Sequence, residues 1–190
     1  LPLTPEQWSQ ARRLREAGIE IDISATPPFD FGFEGGPDYS SLSSEPRWVG
    51  DRHDLLMLPV TGAYVGYLQW STHNIYRMAS AMSWARLPGI LSRLGAIDRL
   101  RLSPEGFTSE DNAKLVRFLL ARGLRVFVYS FHSPSVMPGC TPYVRTARDL
   151  EVFLDRCRRF YDFFLGELGG RSMTPAEFKR HVEQGTIASA

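Results

Sequence analysis

The sequence is poor in cysteine, in net charge and in long apolar runs. Only two cysteines, Cys140 and Cys157, occur among its 190 residues, which argues against a disulfide scaffold and predicts a reduced, cytoplasmic setting. The formal net charge is +1, which gives no reason to expect nucleic acid or an anionic membrane as a partner. No apolar run approaches the roughly 20 residues that cross a bilayer, so no membrane span is expected.

Several motifs that carry chemistry are also missing from the sequence. It contains no H-x-x-x-H or H-E-x-x-H pair for a metal, no G-x-S-x-G nucleophile turn and no G-x-x-x-x-G-K phosphate loop. The sequence therefore predicts no metal ligands within the chain itself. The chain also begins with Leu1 rather than methionine, from which we expect it to be part of a longer product.

The sequence contains alternating helix and strand patterns, which predict an α/β fold in one domain spanning 1–190. Only four strands are visible, and a closed eight-stranded barrel needs about 200 residues or more, so an incomplete barrel or a small open sheet is expected. A segment rich in Gly, Pro, Ser and Asp, 25–50, is predicted to be one long loop. The expected helices are 5–17, 74–94, 108–121, 146–168 and one from 175 onward, and the expected strands are 19–24, 55–61, 100–102 and 125–132.

The helix over 146–168 has the most regular apolar pattern. Its apolar residues recur at three-and-four spacing, which predicts a single buried face. That face comprises Leu150, Phe153, Leu154, Cys157, Phe160, Tyr161, Phe164, Leu165 and Leu168.

The stretch from Arg125 to Tyr143 is the most informative part of the sequence. An apolar, β-branched and aromatic run predicts a buried strand that ends at His132, because Pro134 follows two residues later. Parallel α/β proteins keep their chemistry at the carboxyl ends of strands, and the proline-rich loop 133–144 is expected to be stiff. His132 is therefore the leading candidate for an acid or base.

The other histidines have simpler interpretations. His181 is expected to be a solvated residue of the last helix, His53 belongs to a polar turn, and His73 lies near a helix start where it caps or packs. Two carboxylates lie near predicted strand ends. Glu105 is a candidate auxiliary carboxylate that orients His132, and Asp22 is a candidate for lining the same mouth. For each, the alternative is a loop carboxylate that caps a turn or a helix.

Five stretches together resemble the C-terminal half of polysaccharide deacetylases, the chitooligosaccharide-deacetylase-like carbohydrate esterases. The resemblance covers nearly the whole chain and is closest to a branch associated with bacterial surface-polysaccharide biosynthesis. The stretches are Gly36-Pro-Asp-Tyr39, Leu56-Met-Leu-Pro-Val-Thr61, Arg101-Leu-Ser-Pro-Glu-Gly106, Ser130-Phe-His-Ser-Pro-Ser135 and Pro138-Gly-Cys-Thr-Pro-Tyr-Val144.

The resemblance implies a distorted (β/α) barrel and metal-dependent removal of acetyl groups from a polysaccharide or amino sugar. In such enzymes a divalent ion, often zinc, is held by one Asp and two His, a second Asp is the base, and a histidine on a late strand protonates the leaving group. His132 takes that general-acid role by resemblance. The loop 133–144, with Ser133 and Tyr143, and the loop 25–50 are expected to shape the sugar cleft, with Asp22 nearby.

This chain departs from the family pattern in one respect. The paired-aspartate and H-x-x-x-H motifs of the family are absent from it, so the metal ligands and the base are expected upstream of Leu1. The missing strands would leave an exposed sheet edge for self-association. Two alternatives remain open, namely a non-catalytic carbohydrate-binding or assembly module on a degenerate deacetylase fold, and metal-free hydrolysis by His132 with Glu105.

Overall fold

The computed structural model describes residues 5–32, 35–50, 54–66 and 98–187. Helices and strands are mixed along the chain, as expected for an α/β protein. In order, the elements are α1 (Pro5–Glu16), β1 (Ile21–Asp22), β2 (Arg47–Val49), β3 (Leu55–Met57), β4 (Gly62–Val65), β5 (Asp98–Arg101), α2 (Ser109–Leu120), a 3₁₀ helix (Ser133–Val136), α3 (Ala147–Tyr161), a π-helix that continues it (Asp162–Glu167), and α4 (Pro175–Glu183).

The described strands form two small sheets. One sheet has the order β1-β3-β2, with β1 and β3 parallel and β2 antiparallel to β3, and the other pairs β4 with β5 in antiparallel fashion. Alternating strands and helices predict parallel strands, and among the described strands only β1 and β3 pair in that way. Within the described residues these sheets do not close into a barrel.

Two strands arise where none was predicted. β2 lies at the end of the predicted loop 25–50, and β4 occupies a glycine-flanked stretch that suggests a turn. Both are held by antiparallel neighbours, since Trp48 pairs with Leu56 and Ala63 pairs with Leu100. Pairing with another strand outweighs the local turn signals here.

The predicted strand over 125–132 is not a hydrogen-bonded strand in the described part of the chain. Successive side chains of the segment nevertheless alternate between two faces, as in a strand. Val126 and Val128 pack in one apolar cluster, while Phe127 and Tyr129 pack against another. Its backbone-to-backbone hydrogen bonds are too few for a β-ladder. Ser130 N donates to the Leu102 carbonyl at 3.2 Å, but Val128 N donates to a side chain, Thr61 Oγ1, at 2.8 Å.

The helices begin where the sequence predicts and are capped by threonine. Thr108, Thr146 and Thr174 each accept a hydrogen bond from the third residue of α2, α3 and α4, and the acidic side chain at that residue bonds back to the cap. Such capping boxes satisfy two of the orphan donors at a helix start. The expected helix over 74–94, together with His53 and His73, lies outside the described residues.

The predicted single buried face of the 146–168 helix is wrong in part. Phe153 and Phe160 of that face are buried, as is Phe163, which the predicted face did not include, but other apolar residues of the face are exposed. The helix ends in a π-helical turn that begins at Asp162, and this turn changes the residue spacing that leads to Leu165 and Leu168. The exposed members of the face are Leu154, Tyr161, Leu165 and Leu168.

No described helix combines the length and apolar character that crossing a bilayer requires.

Candidate active site

His132 lies where the extended segment turns into the exit loop. It is the N-cap residue of the 3₁₀ helix Ser133–Val136, and Pro134 stands at the start of that helix. Backbone hydrogen bonds close the loop beyond it, from Ser135 N to the His132 carbonyl at 2.9 Å and from Gly139 N to the Val144 carbonyl at 2.9 Å. The imidazole is 67% exposed, so one side of the ring is open to a substrate.

Glu105 is a buried carboxylate in the turn that follows β5. Its residue is only 1% exposed. The next residue, Gly106, has a φ of 79°, a conformation that side-chain-bearing residues rarely adopt. Asn112 from α2 fixes the start of the turn, because its side chain bonds both the N–H and the carbonyl of Ser103. The buried position of Glu105 therefore follows from the packing of α2 against β5.

Three donors converge on the Glu105 carboxylate. Its Oε1 accepts from the His132 backbone N–H at 3.0 Å and from the Ser135 hydroxyl at 2.5 Å. Its Oε2 lies 2.7 Å from His132 Nδ1. Burial disfavours the charged form of this carboxyl, but the hydrogen bonds from Ser135 and His132 outweigh burial and hold the pKa of Glu105 below its ordinary value.

The hydrogen bonds fix which ring nitrogen of His132 can exchange a proton. An ionised carboxylate only accepts hydrogen bonds, so Nδ1 must carry a hydrogen that it donates to Glu105. The other nitrogen, Nε2, is then the site that gains or loses a proton. This arrangement of a histidine oriented by a buried carboxylate is suited to general acid or base chemistry. The sequence-predicted pair of His132 and Glu105 is thus brought together.

Ser135 is a functional-site residue that the sequence analysis missed. It is fully buried, and its hydroxyl contacts Glu105 Oε1 and, at 3.1 Å, Thr141 Oγ1. Because its only hydrogen is donated to the carboxylate, the Ser135 hydroxyl donates no hydrogen bond to the His132 ring and is not an activated nucleophile. A serine three residues after the histidine, in a turn opened by proline, is the one sequence signal that could have indicated this contact.

The other predicted site residues are placed less specifically. The Tyr143 ring is 44% exposed and lies over Gly106, where a Cβ atom would be 3.7 Å from Tyr143 Cε1, so it flanks the residue next to Glu105. Ser133 is exposed at the first position of the 3₁₀ helix. Asp22 is engaged locally, accepting from the backbone N–H and hydroxyl of Ser24, and no described contact joins it to His132.

His181 is not part of this arrangement. It lies in the last turn of α4, and its Nδ1 contacts Thr186 Oγ1 at 3.0 Å. Its role is therefore local to the end of that helix.

The described residues do not fit a bound metal. Across 5–32, 35–50, 54–66 and 98–187, no three His, Cys, Asp or Glu side chains converge as a metal site would require. Glu105 Oε2 is bound by His132 Nδ1, and Glu105 Oε1 is bound by the His132 backbone N–H and the Ser135 hydroxyl.

Comparisons of the chain with protein-family models, with curated proteins and with solved structures found no match.

Proposed function

We propose that this chain supplies the general-acid half of a metal-dependent hydrolase that removes acetyl groups from a polysaccharide or amino sugar. One observation carries the proposal: His132 is anchored through Nδ1 to the buried Glu105, while its ring remains largely exposed. The resemblance of the flanking stretches to polysaccharide deacetylases supplies the reaction class. A divalent metal, zinc by that resemblance, would be held by groups outside the described residues.

In this proposal His132 acts as the protonated imidazolium. When the bond between the acyl carbon and the sugar nitrogen or oxygen breaks, the electron pair of that bond remains on the leaving atom, and the Nε2 proton is transferred to it. The ring becomes neutral, and Glu105 keeps Nδ1–H in place throughout. Ser133 and the exposed ring of Tyr143 would then contact the sugar beside the histidine, with Asp22 and the loop 25–50 at the edge of the cleft.

The test restores the coding region upstream of Leu1 and measures acetate release from acetylated glycans with added zinc. We expect His132→Ala to lose about 100-fold or more in kcat, the scale of general acid catalysis. His181→Ala is the matched control, because that histidine belongs to the end of α4. Full activity in His132→Ala would remove this residue from the mechanism.

A second candidate function is a non-catalytic carbohydrate-binding or assembly module. The observation that favours it is the exposure of two aromatic residues, Phe131 next to His132 in the sequence at 43% and Tyr143 against Gly106 at 44%. Exposed rings commonly contact the apolar faces of ligands. The two functions are separated by titrating the 190-residue chain with acetylated chitooligosaccharide and monitoring binding by NMR. Binding that survives His132→Ala, with no acetate release from the upstream-restored protein, would favour the module.

We also propose that the two sheets belong to the C-terminal part of a distorted (β/α) barrel whose open edge is the segment 125–131. The N–H groups of Phe127 and Tyr129 alternate along the segment with those of Val128 and Ser130, and they meet no hydrogen-bond acceptor in the described part of the chain. A groove of about 500 Å³ runs beside them. Such an edge takes an added strand, either from the metal-bearing half or from a second copy.

A further inference from the structure

Ser135 and Thr141 form a chain of hydroxyls behind Glu105. Ser135 lies in the 3₁₀ helix and Thr141 in the exit loop, where it pairs with Val144. Their oxygens are 3.1 Å apart, and Ser135 Oγ is 2.5 Å from Glu105 Oε1. The chain therefore ties the loop that carries His132 to the carboxylate that holds its ring.

The ionised state of Glu105 determines which group donates in each of these two hydrogen bonds. Glu105 as a carboxylate can only accept, so the Ser135 hydroxyl donates to it. Since a hydroxyl has one hydrogen, Ser135 can only accept from Thr141, which therefore donates. The order is Thr141 O–H to Ser135 Oγ, and Ser135 O–H to Glu105 Oε1.

The hydrogen bonds to Glu105 Oε1 determine which carboxylate oxygen faces the His132 ring. Two donors, the His132 backbone N–H and the Ser135 hydroxyl, both bind Oε1. They prevent rotation about the terminal bond of the side chain and leave Oε2 directed at Nδ1, 2.7 Å away. Arg156 donates to the Pro104 carbonyl, next to Glu105 in this turn, rather than to the carboxylate, so it does not substitute for Ser135.

We propose that Ser135, supported by Thr141, is a positioning residue that fixes the Nδ1–H tautomer of His132 and so leaves Nε2 as its proton-transfer atom. The role in catalysis rests on the function proposed above, but the tautomer itself does not. A buried hydroxyl bound to a charged acceptor is among the stronger single hydrogen bonds of a protein. Its removal should therefore be visible at the ring.

The first measurement is the ¹⁵N spectrum of the His132 ring in the 190-residue chain at a pH where the ring is neutral. We expect Ser135→Ala to lower the ratio of the Nδ1–H to the Nε2–H tautomer on the order of tenfold, because the released carboxylate no longer holds a fixed oxygen at Nδ1. Thr141→Val, which keeps the side-chain shape, should lower the same ratio less. Cys140→Ala, an exposed change in the same loop, should leave the tautomer ratio unchanged.

The outcomes separate the positioning role from the proposed reaction. An unchanged tautomer ratio in Ser135→Ala, with a native amide spectrum, overturns the positioning role. If Ser135→Ala does not fold, an unchanged ratio in Thr141→Val overturns it instead. In the upstream-restored protein, Ser135→Ala should lower kcat about tenfold at constant KM. A shifted tautomer in a protein that releases no acetate would support the positioning role and contradict the proposed function.

Discussion

Glu105 has an unusual position for an ionised side chain, since it is buried and yet has a pKa held below its ordinary value. Burial alone would raise that pKa, so the charged form depends on the donors from Ser135 and His132. A carboxylate that depends on its neighbours in this way links the stability of the protein to the geometry of the site.

Replacing Glu105 with glutamine tests that link through pH. A group whose folded pKa is depressed stabilises the fold above its unfolded pKa, near 4.5 here, and loses that contribution as the pH falls through the folded pKa. We therefore expect wild type to be more stable than Glu105→Gln at pH 7, by about 1–3 kcal/mol. The difference should shrink as the pH is lowered from 5 toward 3.

Urea unfolding of both proteins across that pH range measures the difference. Other carboxylates with depressed pKa values, such as Asp149 and Glu177, are present in both proteins, so their contributions cancel. A stability difference that stays constant down to pH 3 would show that Glu105 is not ionised in the native state.

Sequence reasoning found the two central residues of the site but not their support. His132 and Glu105 were predicted together because each ends or follows a predicted strand, and strand ends share an edge. Ser135 and Thr141 could not be found in that way, because a 3₁₀ turn and a loop pairing bring them to Glu105. Such contacts depend on the loop conformation, which composition does not determine.

At the scale of elements, starts of helices were more predictable than strands. The cap residues Thr108, Thr146 and Thr174 act through contacts three residues away, so their signal is local. Strand formation depends on distant partners, which is why β2 was missed and why 125–132, although apolar and β-branched, forms no ladder in the described structure.

The start of α3 offers a test of how an element supports the site. Thr146 Oγ1 accepts from Asp149 N at 3.1 Å, and Asp149 Oδ2 accepts from Thr146 N at 2.9 Å. We expect Thr146→Ala to lower the free energy of unfolding by about 1 kcal/mol. Thr146→Ser, which keeps the hydroxyl, should lower it by less.

Thr146→Ala should also affect the aromatic packing between α3 and the segment that leads to His132. Phe153 of α3 packs edge-on against Phe131 with ring centroids 5.3 Å apart, and Phe160 stacks on Tyr129 at 4.2 Å. Fraying of the first turn of α3 should therefore speed amide exchange at Phe153 more than at Phe160. Equal stability of the alanine and serine variants would contradict the capping role.

At the scale of the whole molecule, the open groove beside 125–131 has an apolar wall continuous with the exposed flank of α3. Tyr161 lines the groove and is 43% exposed. Phe127 and Tyr129, whose N–H groups meet no acceptor within the described residues, line it too. Exposed apolar surface next to an unpaired edge favours association. We expect the 190-residue chain to self-associate as its concentration rises.

A lysine in the groove should suppress this association, because inserting a charge into an apolar contact requires its desolvation. The variant is Tyr161→Lys, and the matched control is Val152→Lys, which is equally exposed at 46% but does not line the groove. Sedimentation velocity over a concentration series should show Tyr161→Lys shifted toward monomer by about tenfold in concentration, while Val152→Lys behaves as wild type. If the upstream region occupies the same edge, the restored protein should be monomeric without either substitution. Association that persists equally in Tyr161→Lys and in the restored protein would place the contact on another surface.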